Sequence, residues 1–186
     1  VPSETTINIT NSSGDVYCEG IVSTLMKIKA SSGDVKLQQL ATDLEVRTSS
    51  GDISVYEIKG NVISHSSSGD QEIAKLVGNI ECETTSGDLT LEKINGDLDS
   101  RTTSGDLNFD GVQGKVKNVS TSGNFSIVNS KVILNLSSSS GDLKGQNLVL
   151  LGESFFNSTS GDIYMNLQND FDQLSFELSA SSGNIK

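Results

Sequence analysis

Apolar and polar residues alternate along most of the chain, in short runs that return at a fixed interval. In one such run, Ile53, Val55, Ile58 and Val62 are apolar and polar residues separate them. Alternation over four or five residues is the signature of a half-buried β-strand, so each run predicts two short strands with one buried side. The same apolar positions return in the following runs, at Ile73, Leu76, Ile80 and Cys82, at Leu89, Leu91, Ile94 and Leu98, and at Leu107, Phe109, Val112 and Val116.

A short motif, Ser-Ser-Gly-Asp followed by an apolar residue, marks the start of each run. It is first met at Ser12 to Val16, and variants of it occur ten times, mostly 18 residues apart. A fixed period of this size indicates a repeat protein whose units stack on one another. The glycines of the motif are Gly14, Gly33, Gly51, Gly69, Gly87, Gly105, Gly123, Gly141, Gly161 and Gly183.

A second turn lies nine residues after the motif glycine, as at Gly60-Asn61 and Gly78-Asn79. Glycine and Asx residues suit tight turns, so the repeat is two halves, each a turn and a strand. Strands this short cannot shield their own apolar side, and coils must therefore stack through parallel pairing. The sequence predicts an all-β, single-domain parallel β-solenoid over residues 1–186, with about nine 18-residue coils of two strands each, wound right-handed by the general crossover preference.

The pattern is irregular towards both ends. Ile7 and Ile9 have the spacing of a strand that precedes a motif, which predicts half a coil there, and one extra residue must fit between Gly14 and Gly33. An open strand edge at the last motif favours a truncation or pairing with another chain. The last two intervals are longer and predict bulged corners that widen the core. Their apolar residues are Leu148, Leu150, Leu151, Phe155 and Phe156, followed by Phe171, Leu174, Phe176 and Leu178.

Composition and charge narrow the classes of partner. Only 34% of the residues are hydrophobic and 5% are aromatic, which allows a thin core in each coil. The formal net charge is −11, and the 13 basic residues are scattered along the chain. Nucleic acid and anionic membranes attract clustered Lys and Arg, so we expect neither as a partner. No apolar stretch approaches the roughly 20 residues of a transmembrane helix.

The residue after each motif glycine is Asp or Asn, and stacking aligns these residues in a column. One hypothesis is a calcium ladder, because the β-rolls of repeats-in-toxin proteins also have 18-residue coils. Their motif, however, has several glycines where this chain has one. We favour the interpretation that each side chain caps its own turn by accepting backbone N–H bonds, which Asn also does. The column is Asp15, Asp34, Asp52, Asp70, Asp88, Asp106, Asn124, Asp142, Asp162 and Asn184.

A second column consists of Ser and Thr three residues before the motif glycine. Regular hydroxyl columns on a flat outward face can bind ice, but the alternation places this column on the inward side. We therefore expect a hydrogen-bond ladder at the corner. Its members include Thr48, Ser66, Thr84, Thr102, Ser120, Ser138 and Ser158.

One histidine and two cysteines remain as candidates for chemistry. His65 has no second His or Cys at metal-ligand spacing and points outward, so we expect a solvated surface residue. Cys18 and Cys82 point inward on opposite sheets and several coils apart, beyond the roughly 7 Å between Cα atoms that a disulfide allows. We expect two free thiols that fill space in the core.

No arrangement of a nucleophile with a base is present, and no phosphate-binding glycine loop. Enzymes of the β-helix class that cleave polysaccharides with paired carboxylates have longer coils, whose loops wall a cleft. A repeat of 18 residues leaves no room for such loops. The sequence therefore predicts no catalytic residue, no cofactor and no metal site, and a protein that is not an enzyme.

The repeat itself resembles a known family. Thr-Ser-Ser-Gly-Asp-Ile at 48–53 and Thr-Thr-Ser-Gly-Asp-Leu at 84–89 and 102–107, with Gly-Asn-Val or Gly-Asp-Leu midway, are similar to the repeats of a bacterial family of β-solenoid domains named as adhesins. The resemblance covers nearly the whole chain. It implies a domain of unknown function, common in Gram-positive bacteria and Bacteroidetes, that often follows a membrane anchor or signal.

These expectations combine into one leading hypothesis. The chain is expected to be a non-enzymatic binding or adhesion scaffold of the bacterial cell envelope or cell surface, whose long faces contact a glycan or a protein. Two alternatives stay open. One is a structural element that polymerises through its solenoid ends or spaces a domain from the membrane, and the other is a calcium-binding β-roll.

Overall fold

The computed structural model describes residues 5–170, 179–180 and 182–185. These residues form strands and turns, and no helix occurs among them. The strands are β1 (Thr6–Asn11), β2 (Val16–Glu19), β3 (Val22–Ser32), β4 (Val35–Ser50), β5 (Ile53–Lys59), β6 (Val62–Ser68), β7 (Gln71–Val77), β8 (Ile80–Ser86), β9 (Leu89–Asn95), β10 (Leu98–Ser104), β11 (Leu107–Asp110), β12 (Gln113–Ser122), β13 (Phe125–Val128), β14 (Lys131–Ser140), β15 (Leu143–Leu150), β16 (Phe155–Ser160), β17 (Ile163–Leu167) and β18 (Ser179–Ala180).

The strands pair in parallel with the equivalent strands of the coils before and after. β5 pairs with β7 so that Val55 lies opposite Ile73, and β6 pairs with β8 so that Val62 lies opposite Ile80. In both pairs the two residues are one repeat apart in sequence, because each coil stacks directly on the preceding one. The predicted all-β parallel β-solenoid of about nine turns with 18-residue spacing is confirmed.

The alternating apolar residues form one continuous core along the stack. Ile53, Val55, Ile58 and Val62 are each at most 2% exposed, as the alternation predicts. Phe109 and Phe125 are among the largest fully buried side chains of the core. Their rings meet edge to face, with centroids 5.0 Å apart. At about 25 cal/mol per Å² of apolar surface, this burial is the main source of stability for a chain with so few aromatic residues.

The first strand of each coil bends at a corner that the alternation did not reveal. Six residues after the motif glycine the backbone is left-handed, with φ of 60° at Glu57 and 55° at Lys75 and Lys93. The bend explains why the inward positions skip from Val55 to Ile58. This corner leaves little trace in the residue types, because in the described part of the chain glycine occupies it only at Gly20 and Gly111. Elsewhere the left-handed residues are Gln39, Glu57, Lys75, Lys93, Asn129 and Asn147.

Each coil consequently has two long sides and a short one. We call the outward residues of the second strand of each coil the wide face. We call the short side, between the left-handed corner and the second turn, the narrow face. The wide face includes Lys27, Lys29, Glu45, Arg47, Ile63, His65, Glu81, Glu83, Asp99, Arg101, Lys117 and Val119, and the narrow face includes Val22, Gln39, Ala41, Glu57, Lys59, Lys75, Val77, Lys93 and Asn95.

The predicted irregularities are local. β1 pairs with β3 as the expected half coil, and the extra residue after Gly14 lies in β3, where the register shifts between Val22 and Leu25. The two extra residues of the coil after Gly141 lie at 151–154, because Val132 pairs with Leu150 but Asn135 pairs with Phe155.

The expected widening of the core is wrong for two of the apolar residues in this coil. Leu148, Leu150 and Phe156 are buried, but Leu151 is 60% exposed and Phe155 is 50% exposed. They project outward because the extra residues leave the strand path as a surface turn. The predictions for Phe171, Leu174, Phe176 and Leu178 lie outside the described residues.

Polar residues interrupt the core in the middle of the stack. Ser64, Cys82, Ser100 and Asn118 succeed one another in register and are at most 2% exposed. Ser100 donates a hydrogen bond of 2.8 Å to Oδ1 of Asn118. The Ser64 hydroxyl has no hydrogen-bond partner among the described residues. A buried polar group without a partner costs about 1–3 kcal/mol, so these coils are less stable than an apolar core would make them.

Replacing a motif glycine should destabilise the stack at one level. In Gly87→Ala the new Cβ would collide with the carbonyl oxygen of Gly69 one coil below, at a φ of 131° that L-residues rarely adopt. We expect a loss of about 3 kcal/mol in the free energy of unfolding. Gly20→Asn is the matched control, because a Cβ there meets nothing within 4 Å and Asn occupies the equivalent corner at Asn129. Equal losses in both variants by urea denaturation would contradict the close-stacking argument.

Filling the polar column should stabilise the fold. Ser64→Val removes an unpaired buried hydroxyl and extends the apolar column of Ile28 and Val46. We expect a gain of about 1 kcal/mol in the free energy of unfolding, measured in urea. Ser54→Val, which adds the same side chain at an outward position, should change stability by less than about 0.5 kcal/mol. A destabilised Ser64→Val would show that the hydroxyl has a partner in solution.

Candidate functional site

The Asp and Asn column after the motif glycines is a continuous hydrogen-bond ladder along one edge. The backbone N–H of Asp34 donates to Oδ1 of Asp15 at 3.0 Å, and the same bond recurs at every step up to Asn184, at 2.8–3.1 Å. The expected cap within each residue's own turn is therefore wrong. The acceptor serves the next coil, because stacking brings that coil's N–H closer to the carboxylate than the N–H groups of its own turn.

This ladder explains the tenfold recurrence of the motif. Each bond ties two coils together and sets an N–H against a carboxylate, which offsets part of the repulsion within the column. Asn124 takes its place in the column by accepting the N–H of Asp142 at 3.1 Å. Among the described residues no group of three or more His, Cys, Asp or Glu side chains is arranged to hold a metal ion.

The second turn carries a shorter ladder of the same kind. The N–H of Asn61 donates to Oδ1 of Asp43 at 2.8 Å, and the bond repeats through Asn79 and Asp97 to Lys115. A third set joins side chains at the left-handed corner, where Asn147 donates to Asn129 at 2.8 Å. The corners thus carry three columns of inter-coil polar bonds outside the sheet.

The hydroxyl column three residues before the motif glycine is buried, as the alternation predicts. Its members are at most 5% exposed. Thr48 and Ser66 donate to the carbonyls of Ser50 and Ser68 in their own coil, at 3.1 and 3.2 Å, so they do not form the expected ladder between coils. In Thr84, Thr102, Ser120, Ser138 and Ser158 the hydroxyl has no partner among the described residues. The exposed hydroxyls belong instead to the next two residues of each coil, such as Ser67 and Ser68.

His65 is less solvated than expected. Its side chain is 22% exposed, and Nδ1 lies 3.0 Å from Oε2 of Glu83 in the next coil. In the described part of the chain no hydroxyl hydrogen-bonds to this imidazole. The pair therefore joins two coils of the wide face and lacks the nucleophile of a hydrolytic triad.

The two cysteines are free and buried, as predicted. Burial raises the pKa of the Cys18 thiol, and it raises the pKa of Cys82 to about 12, with a smaller contribution from Glu81. A thiol must ionise to act as a nucleophile or bind a metal, so Cys82 is chemically inert at neutral pH.

Charged side chains of the wide face are paired across coils. Glu45 accepts hydrogen bonds from Lys27 at 2.8 Å and from Arg47 at 3.0 Å. These contacts lower the pKa of Glu45 to about 2, and Lys27 makes the larger contribution. Asp99 is held in the same way by Lys117 at 2.8 Å. Such exposed pairs contribute less than about 1 kcal/mol each to stability, but they fix which charges the surface presents.

Comparison with known protein families assigns the fold to one of them. The sequence model described as Toastrack DUF4097 matches residues 4–73 and 56–186, which together extend over nearly the whole chain. Neither the curated proteins nor the solved structures give a significant match. The match supports a scaffold or binding domain built on a β-solenoid, and adhesion stays a prediction.

The aspartate ladder predicts different outcomes for two substitutions of one residue. Asp70 accepts the N–H of Asp88 at 2.8 Å, which Asn can do and Ala cannot. Asp70→Asn should be at least as stable as the wild type, because it keeps the bond and removes one charge from the column. Asp70→Ala should lose about 1 kcal/mol in urea denaturation. If the ladder instead requires calcium, Asp70→Asn would be destabilised and a chelator would lower the wild-type stability, and either result would overturn this interpretation.

Proposed function

Since the chain belongs to the Toastrack DUF4097 family, we propose that it is a non-enzymatic binding and adhesion scaffold of the bacterial cell envelope or cell surface. The wide face is its main contact surface. The observation that carries the proposal is that different residues of each coil hold the stack together and form its surface. The repeated motif residues form inter-coil bonds at the corners, while the outward residues of the stacked strands differ from coil to coil.

The wide face suits contact with a large ligand. Its strands stack in register over many coils, so its outward side chains form straight columns in which successive residues are about 4.8 Å apart. The columns combine charges with exposed apolar residues, such as Ile63 at 38% and Val119 at 43% exposure. Solenoid proteins use extended faces of this kind to bind partners.

The chemistry of the polar residues supports a non-enzymatic role. Cys82 is buried with a raised pKa, and His65 is bonded to Glu83 rather than to a nucleophile. The aspartates of the motif ladder accept backbone N–H bonds at every step. Each of these groups already has a structural use, which supports a role other than catalysis for them.

The envelope location rests on the resemblance to domains that often follow a membrane anchor or signal. The described residues include no helix long and apolar enough to cross a membrane. A long rigid stack would hold its wide face away from whatever anchors it.

A second role, end-to-end assembly or spacing, is favoured by the first coil. Among the described residues β1 pairs only with β3, and β2 pairs only with β4. Backbone groups at the outer edge of a coil can pair with a further strand, from the same chain or from a second one. This role differs from the first because it needs the end of the stack rather than its faces.

The proposal predicts that ligand binding depends on the wide face. The chain should capture a component from a glycan array or from bacterial envelope extracts, and Glu81→Lys with Glu83→Lys should weaken capture about tenfold by reversing two exposed charges. Glu72→Lys with Glu92→Lys, on the opposite long side of the same region, is the control and should bind normally.

Three results would count against the leading role. They are hydrolysis of an envelope polymer by the purified chain, equal loss of ligand in both double variants, and no capture in either assay. No capture together with growth of large assemblies in light scattering would support end-to-end assembly instead.

A further inference from the structure

Charge is unevenly distributed around the coil. Eight carboxylates, from Asp15 to Asp162, lie along the edge formed by the repeated motif. The narrow face lies at the other end of both long strands and carries Lys59, Lys75 and Lys93 against the single carboxylate of Glu57. These lysines are far apart in sequence, and only stacking brings them together. A chain with a net charge of −11 thus has one locally cationic side.

The narrow face also contains a groove of about 520 Å³. It runs along the stack over five coils, from the level of Val22 to that of Asn95. Val22 and Val77, at 54% and 57% exposure, are among the most exposed apolar residues of the described chain, and Ala41 and then Lys59 lie between them in the same column. This column is therefore apolar at three of the five levels of the groove and cationic at Lys59, and Lys75 and Lys93 lie in the column next to it.

The three lysines have no carboxylate partner of the kind that Lys27 and Lys117 have. No carboxylate oxygen of the described residues lies within 4.0 Å of their ammonium nitrogens, whereas Lys27 and Lys117 each have a carboxylate at 2.8 Å. Lys75 contacts the ring of Tyr56 instead, with Nζ 4.6 Å from the centroid. The Tyr56 side chain chiefly, with a smaller contribution from Glu57, raises the pKa of Lys75.

One lysine lies at each of three successive levels of the groove. Ala74 lies opposite Glu92 and Leu76 lies opposite Ile94, so Lys75 and Lys93 occupy equivalent places in adjacent coils, about 4.8 Å apart. Lys59 lies one coil before Lys75, in the neighbouring column. A ligand that follows the groove therefore meets a cationic group at each of three successive coils.

We propose that this groove binds a linear polysaccharide whose sugar units carry carboxylates, lying parallel to the stacking axis. Carboxylates pair with Lys59, Lys75 and Lys93, and the C–H faces of the sugar rings pack on Val22, Ala41 and Val77. The inference deepens the proposed binding function and rests on it, but it concerns a different face.

The mixture of groups in the groove favours a carboxylated polysaccharide. Its sugar units supply both a carboxylate for the lysines and a ring face for Val22, Ala41 and Val77. An acidic peptide such as poly-L-glutamate supplies the charge without the ring face, and so does a polyphosphate.

Glu57 provides an internal test of the sign of the ligand's charge. It lies in the groove among the lysines and must weaken the binding of any polyanion. Glu57→Gln should therefore raise affinity for the carboxylated polymer about threefold, while Glu81→Gln on the wide face should leave it unchanged.

The direct test measures binding of polygalacturonate, dextran and poly-L-glutamate to the intact chain by biolayer interferometry at low ionic strength. Polygalacturonate should bind, dextran should not, and poly-L-glutamate should bind at least tenfold more weakly because it lacks sugar rings. Replacing Lys59, Lys75 and Lys93 by Gln should weaken polygalacturonate binding about tenfold. Replacing Lys29, Lys36 and Lys144, which makes the same change in net charge outside the groove, should have no effect.

The proposal is overturned if polygalacturonate does not bind, if dextran binds equally well, if poly-L-glutamate binds as tightly, or if both triple variants lose affinity equally. The wide-face variant Glu81→Lys with Glu83→Lys separates this failure from that of the proposed function. If envelope ligands are captured through the wide face while polygalacturonate is ignored, only the groove assignment is wrong.

Discussion

The close approach of glycine corners is the constraint on which the rest of the structure depends. At the motif corner and at the second turn, the carbonyl of one coil occupies the place that a Cβ would need in the next. Only glycine allows coils to approach to strand-pairing distance there with a positive φ. Once the corners stack, the N–H of each following residue reaches the Asp or Asn below, and the parallel pairing of the faces follows. The core is thin because it needs to fill only the space between the corners.

This arrangement explains why the motif looks like a functional site and is a structural one. A residue that recurs at every coil, within hydrogen-bond distance of the next coil, is fully accounted for by stacking. Because the corners fix the stacking, the core tolerates the buried polar column that runs from Ser64 to Asn118. Ser64 and Asn118 leave buried polar atoms without partners, yet the coils around them keep the same register as their neighbours.

Much of the fold could be predicted from sequence, because the residue type at each position indicates whether it faces inward or forms a corner, and the recurrence of these types gives the period. The burial of Cys82, the inward hydroxyl column and the site of the extra residue after Gly14 follow from alternation and counting. The left-handed corner could not be predicted, since Glu57 and Lys75 carry no preference for it and are accepted there because their side chains face solvent. The direction of the Asp70 bond and the grouping of Lys59, Lys75 and Lys93 were also missed, because both depend on which residues stacking brings together.

The ladder bonds have a consequence for how such a domain can change in length. Every junction between coils uses the same donor, the same acceptor and the same glycine, so a whole 18-residue coil can be inserted or removed and its neighbours will find equivalent partners. A single residue cannot be inserted so freely, because it shifts a face by one position and turns apolar residues outward. The chain absorbs extra residues only where a strand bulges or leaves the stack, as between Val22 and Leu25 and at 151–154. Reach and surface pattern can therefore be altered independently of folding, one coil at a time.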